Sequence, residues 1–138
     1  METLKEFIRI MDEQTEIALA TNINKISNVR IVNFYFNPDN NILYFTTFKN
    51  NDKVKEMKAN QNVAFTTIPH NGEAHVKAKG IAYISKNTIF DLANCFIRKI
   101  PDYESTIDYA GESLILYEIK FDTATVTMDL SNIATIKL

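Results

Sequence analysis

Three β-rich runs, EIALAT, NVRIVNFYF and ILYFTTF, follow one another between Glu16 and Phe48 with no internal helix between them. Asn-rich breaks such as Asn37-Pro38-Asp39-Asn40-Asn41 separate them, and clusters of this kind make turns, not crossovers. Strands joined by short turns pair antiparallel. A doubly wound parallel sheet, which requires strands and helices to alternate throughout, is therefore excluded.

The remaining segments fit around that block. Leu4, Phe7, Ile8 and Met11 recur at helical spacing behind Thr3-Leu4-Lys5-Glu6, which has the form of a capping box, so the chain is expected to open with an amphipathic helix. A brief helix is expected over 51–59, followed by the strand NVAFTTI. The run EAHVKAKGIAYI alternates, with Ala74, Val76 and Ala78 on one face and His75, Lys77 and Lys79 on the other. Past Gly80 the apolar residues Ile81 and Tyr83 take the parity of the lysines, so a bend or bulge is expected at that glycine. A helix over about 88–99, stopped by Pro101, and two closing strands, SLILYEIKFD and TATVTMDL, complete the reading; residues 103–111 are irregular or a further helical turn. Six antiparallel strands with helices at the ends and at one crossover make an α+β domain whose sheet closes into a small barrel. At 138 residues, 1–138 is read as a single domain.

Composition narrows the partners. With 46% hydrophobic and 23% charged residues and no apolar run of membrane-spanning length, the chain reads as globular and not membrane-inserted. Its net charge of -2 leaves no basic excess for nucleic acid. METLKEF lacks the apolar core of a secretory signal, so a cytoplasmic location is expected. Cys95 has no disulfide partner, and with only His70 and His75 available no zinc-type cluster can form; Cys95 is read as a small buried hydrophobe.

Two cations are out of place. Asn50-Asn51-Asp52 looks like a helix start, yet Lys53 falls inside the first turn, where a positive charge opposes the helix dipole. Arg30 shares parity with Val32, Phe34 and Phe36, the inward face of its strand, so its head must lie at the barrel rim, either in water or on an anion. Each alone reads as an ordinary solvated charge. Together with the helix amides and the hydroxyls of Thr46 and Thr47 they are the equipment of a phosphate site. Only Gly72, Gly80 and Gly111 are present, so neither a Walker loop nor a dinucleotide fingerprint exists, and no nucleophile elbow or HExxH occurs.

The order of these pieces resembles the FMN-binding split barrels of the pyridoxamine 5'-phosphate oxidases and their small general-stress-protein-like relatives. Arg30-Ile31-Val32 resembles the family's R-x-V strand, Tyr44-Phe45-Thr46-Thr47 with Asp52-Lys53 its F-Y-T…S-R-K turn, and Asn60-Gln61-Asn62-Val63-Ala64 its N-P-x-V-x. The match covers about residues 3–85 well. The resemblance implies a six-stranded split β-barrel with flanking helices that binds FMN, with Arg30 and Lys53 on the phosphate. Ile31, Val32, Thr46 and Thr47 would lie along the cofactor, and His75 would stand where the oxidases have a glutamine facing the flavin. It also implies a homodimer with the site between subunits, and an oxidoreductase passing electrons from a reduced nicotinamide to a small-molecule substrate. Asp52 stands where the family has an arginine. VTMDLSNIATIKL has no counterpart of the oxidases' arginine-rich end, so vitamin B6 oxidation is not expected. The alternative is a non-redox module of the same shape for haem, a deazaflavin or another planar ligand, with His70 and His75 as the available axial ligands.

Overall fold

A computed structural model describes residues 2–138. Helix α1 (Thr3–Glu13) leads into β1 (Glu16–Ile23), β2 (Ile26–Asn33), β3 (Tyr35–Asn37) and β4 (Ile42–Phe48), and then α2 (Asp52–Ala59). Strands β5 (Asn62–Thr67) and β6 (His75–Ile84) follow, then α3 (Ala93–Lys99), α4 (Tyr103–Ala110) and a 3-10 turn at Gly111–Ser113. Strands β7 (Leu114–Lys120), β8 (Thr123–Asp129) and β9 (Asn132–Lys137) finish the chain. Every strand pairing is antiparallel.

The sheet runs in the order β2-β1-β5-β6-β7-β4-β3, with β8 on β6 and β9 on β8. Its two end strands are one stretch of chain. Residues 26–33 pair with β1 and residues 35–37 with β4, and the break between them is Phe34, whose amide donates to the Thr15 carbonyl at 3.0 Å. The single run NVRIVNFYF thus serves both edges and rolls the sheet into a split barrel. Nine strands are present among the described residues where six were expected. The count of six was one short of the seven runs named as strands, and those seven become nine through this break and through the terminal hairpin, in which β9 adds to a strand already foreseen.

Gly80 is the corner that the inverted parity required. One edge of β6 pairs with β5 over Lys77–Ile81, on both sides of Gly80, whereas the other pairs with β8 over His75–Lys77 and with β7 over Ile81–Ile84. A side-chain carbon at Gly80 would lie 2.5 Å from the Lys120 carbonyl oxygen and 2.9 Å from Ile119 Cγ2, so only glycine admits this approach.

Inside the barrel, Leu43, Phe45, Ile17, Leu19, Phe65 and Tyr117 form one cluster with Phe7, Ile10 and Met11 of α1 and Val54 and Met57 of α2. Phe7 meets Phe36 edge-on at 5.3 Å, and truncating so enclosed a ring costs about 3–5 kcal/mol. The other face of β4 and β7 is covered by α3 and α4, where Tyr44, Leu116, Phe96, Tyr103 and Ile107 make a second cluster. Residues 103–111 are therefore mostly a true helix. The expected helix over 88–99 is helical only from Ala93, because Thr88 and Asp91 bond each other across a preceding turn. The capping box at Thr3 does not form: Glu2 is the cap residue, and Glu6 turns instead to Arg9 at 2.8 Å. No described helix is long and apolar enough to cross a membrane.

Candidate functional site

Helix α2 begins as its sequence requires, and in doing so uses up part of its anion-binding capacity. Asn51 is extended, its side chain accepts from the Lys53 amide at 3.0 Å, and its carbonyl accepts from Val54 at 3.0 Å. Of the amides in the first turn, these two are already bonded within the chain. The charges, not the backbone, must make any anion site here.

Lys53 is only 8% exposed. Lysine is almost never buried to this extent without a charged partner, yet its ammonium donates to a neutral one, the Thr47 hydroxyl, at 2.9 Å. Burial lowers its pKa, the neighbouring Arg30 lowers it further, and Glu56 partly offsets both. The structure thus brings Arg30, Lys53 and Thr47 to one corner.

It also adds a residue that the reading missed. The Arg30 guanidinium donates to Glu56 at 2.7 Å and to the Thr21 hydroxyl at 2.6 Å, and Glu56 accepts in addition from Asn28. Glu56 is buried, and its carboxylate ties β1 and β2 to α2. A signal for it existed. Lys53 and Glu56 stand three apart, so a helix puts them on one face.

The other predicted residues lie elsewhere. Thr46 is on the opposite face of β4 and pairs with the Tyr103 hydroxyl in the second cluster. Val32 is in the main core, while its neighbour Ile31 points outward and is 61% exposed. Arg30 pairs with Leu19, Leu19 with Phe65 and Phe65 with Ala78, so β6, which carries His75, lies three strand spacings, about 14 Å, from Arg30. His75 is half-buried, and its Nδ1 donates to the Glu73 carbonyl at 2.7 Å.

A cleft of about 800 Å³ runs across β1, β5 and β6 beside this corner. Ala20, Ala64, Lys79, Gly80 and Ile81 line it, and Thr21, the hydroxyl bonded to Arg30, is among its walls. Its small residues leave room for a flat ligand, at the upper end of the usual size range. Arg30, Lys53 and Thr47 do not line it: Arg30 pairs with Leu19 and shares its core-facing side, whereas Ala20 and Ala64 face the other way, so Thr21 is where cleft and corner meet. Two cations and a hydroxyl at the corner itself fit a phosphate, and Glu56 is the one group there opposed to it.

The sequence matches the model of the family described as pyridoxamine 5'-phosphate oxidase-like over residues 10–133. No curated protein gives a significant match. Among solved structures, General Stress Protein 26 from Bacillus anthracis superposes with a TM-score of 0.78 at 18% identity, covering 100% of both chains. A FAD-binding protein from Mesorhizobium loti gives 0.68 at 13% identity, over 91% of this chain and 94% of that one. A haem-binding protein from Mycobacterium smegmatis gives 0.80 at 10% identity, over 99% of this chain and 58% of that one. At these identities the likeness is one of fold.

Proposed function

Because the chain belongs to the pyridoxamine 5'-phosphate oxidase-like family, we propose that it is a flavoprotein that seats FMN by its phosphate at Arg30 and Lys53 and acts as an oxidoreductase on a small molecule. The observation that carries this reading is the buried Lys53 ammonium, held beside a second cation with a lone hydroxyl as its bonded acceptor. A phosphate there would give the Lys53 ammonium the charged partner it lacks. The flavin supplies the electron chemistry when bound. The chain's own part is to anchor: Lys53 and Thr47 fix the anionic end.

A homodimer belongs to the same proposal. Val29 and Ile31, 68% and 61% exposed, project on the same face as the small residues Ala20 and Ala18 that they pair with, which is a face suited to a second copy. A nicotinamide reductant is the proposed electron source. The purified protein is expected to be yellow, or to take up FMN at micromolar concentration with quenching of flavin fluorescence, and to elute as a dimer. Failure to bind added FMN at that concentration removes the reading.

One observation favours haem as a second reading. A carbonyl can only accept, so the 2.7 Å contact fixes the proton of neutral His75 on Nδ1 and leaves Nε2 as a free lone pair, the state a metal requires. A solved protein of this fold binds haem. Added haem would then give a Soret band that His75→Ala abolishes; a band that persists in that variant counts against His75 as the ligand.

A further inference from the structure

We propose that Glu56 is a built-in competitor for the phosphate seat: its carboxylate occupies Arg30 in the free protein, and a bound phosphate must displace it, so that the flavin is held exchangeably. This rests on the flavin reading above and deepens it. Three donors from two elements converge on the one carboxylate: Arg30 and Asn28 from β2, and the Thr21 hydroxyl from β1 at 3.4 Å. Arg30 in turn directs one arm of its fork at Glu56 and the other at the neutral Thr21 hydroxyl, so a bidentate anion could take both arms. Glu56 is thus bound much as a phosphate oxygen pair would be.

The geometry explains two things that phosphate anchoring alone does not. A largely enclosed guanidinium with no anion would be costly, and Glu56 satisfies it. And Lys53, one helical turn away, is left with Thr47, because the carboxylate that could have paired with it is taken by Arg30. The corner therefore holds one closed ion pair and one open cation. An arriving phosphate finds Lys53 directly and gains Arg30 only by exchange, one anion for another. The net gain from the arginine is reduced by whatever the Glu56 contacts were contributing. Removing the Glu56 charge should then tighten phosphate ligands and leave phosphate-free ones unaffected.

The test is a titration of the full-length protein and of Glu56→Gln with FMN and with riboflavin, following flavin fluorescence, with the fold of each variant checked by circular dichroism. Glu56→Gln should bind FMN tenfold or more tightly and release it more slowly, while riboflavin affinity stays within twofold. Equal or weaker FMN binding by Glu56→Gln overturns the competitor role and leaves the flavin reading standing. If neither protein binds FMN or riboflavin, the flavin reading falls. Inorganic phosphate then decides the competitor role through the Arg30 side-chain NMR signal. A shift at lower phosphate concentration in the variant sustains it, and no difference between the two proteins overturns it. Should Glu56→Gln not fold, Glu56→Asp, which keeps the charge but shortens its reach, is expected to tighten FMN by a smaller factor, and no tightening overturns the proposal.

Discussion

The protein contains two enclosed lysines, and they are enclosed for different reasons. Lys99 of α3 is provided for. Its ammonium donates to the Met11 carbonyl at 2.9 Å, in the last turn of α1, where the helix dipole is negative, and lies 3.5 Å from the centre of the Phe34 ring. Lys53 sits at the positive end of α2 beside Arg30, with a hydroxyl to bond. Lys53 leaves less of its whole surface to water, yet the pKa of Lys99 is the one driven to about 7, chiefly by burial, because ring and helix end close over the charged tip itself. One cation is a finished piece of structure. The other has only a neutral hydroxyl as its bonded acceptor.

If that contrast is functional, the two lysines must separate in a binding experiment. Lys53→Met should weaken FMN by about a hundredfold, the loss of a charged hydrogen-bond partner worth roughly 2–3 kcal/mol, while riboflavin is unchanged. Lys99→Met should leave FMN affinity within twofold. Fluorescence titration of both variants measures this, and an equal loss in the two would erase the distinction.

Stability should separate them in the opposite sense. The folded-state pKa of Lys99, about 7, lies below the ordinary 10.5. Between those values the unfolded chain keeps a proton that the folded chain releases, so unfolding free energy rises with pH across the window, by at most about 1.4 kcal/mol per pH unit. Below pH 7 the full cost of enclosing the charge is present and the slope from this group disappears. Urea unfolding at pH 7, 8 and 9 should show the rise, and Lys99→Met should flatten it. Lys53→Met should change the slope less, since its pKa is also lowered but Glu56 stands close enough to oppose the shift.

The two corners also differ in how well they could be read in advance. Lys53 was conspicuous because a cation in a first helical turn violates a local rule, and Arg30 because its parity put a charge on an apolar face. Neither signal depends on tertiary contacts. Glu56 violates nothing: on α2 alone it is an ordinary helical glutamate, and its role exists only through Arg30 and Asn28 on a strand more than twenty residues earlier. That Lys99 of α3 caps α1 follows only from packing. The same limit governs the fold. The corner at Gly80 was visible because the alternation inverts there, whereas the break at Phe34 keeps the inward parity of Val32, Phe34 and Phe36 intact, so nothing in the pattern marks where one strand changes partner.

Thr47 offers a smaller test of why Lys53 remains incomplete. Thr47→Val keeps the shape and removes the hydroxyl acceptor, leaving a buried ammonium with Glu56 nearby but bonded elsewhere. A loss of about 1–3 kcal/mol in stability is expected, with a further drop in the Lys53 pKa and a several-fold loss of FMN affinity. Added phosphate should recover part of the stability in this variant. Lys99→Met keeps Lys53, Thr47 and Arg30, so added phosphate should stabilise it at least as much, through binding to the folded state alone.

The smallest effect is expected one residue away. Thr46 and Thr47 read alike in the sequence, but strand alternation sends Thr46 to the far side of β4, where its hydroxyl pairs with Tyr103 in the cluster beneath α3 and α4. Burial raises the pKa of Tyr103, and the bond from Thr46 holds that rise in check. Thr46→Val should therefore push Tyr103 higher still, visible in its tyrosine NMR titration, and cost about 1 kcal/mol in stability for one neutral hydrogen bond. FMN affinity should not move, because what the β4 backbone offers a ligand is unaltered and the hydroxyl faces the helices. A substantial loss of FMN binding in Thr46→Val would mean that the ligand reaches the α4 side of the sheet. The line drawn between a completed corner and an open one would then be in the wrong place.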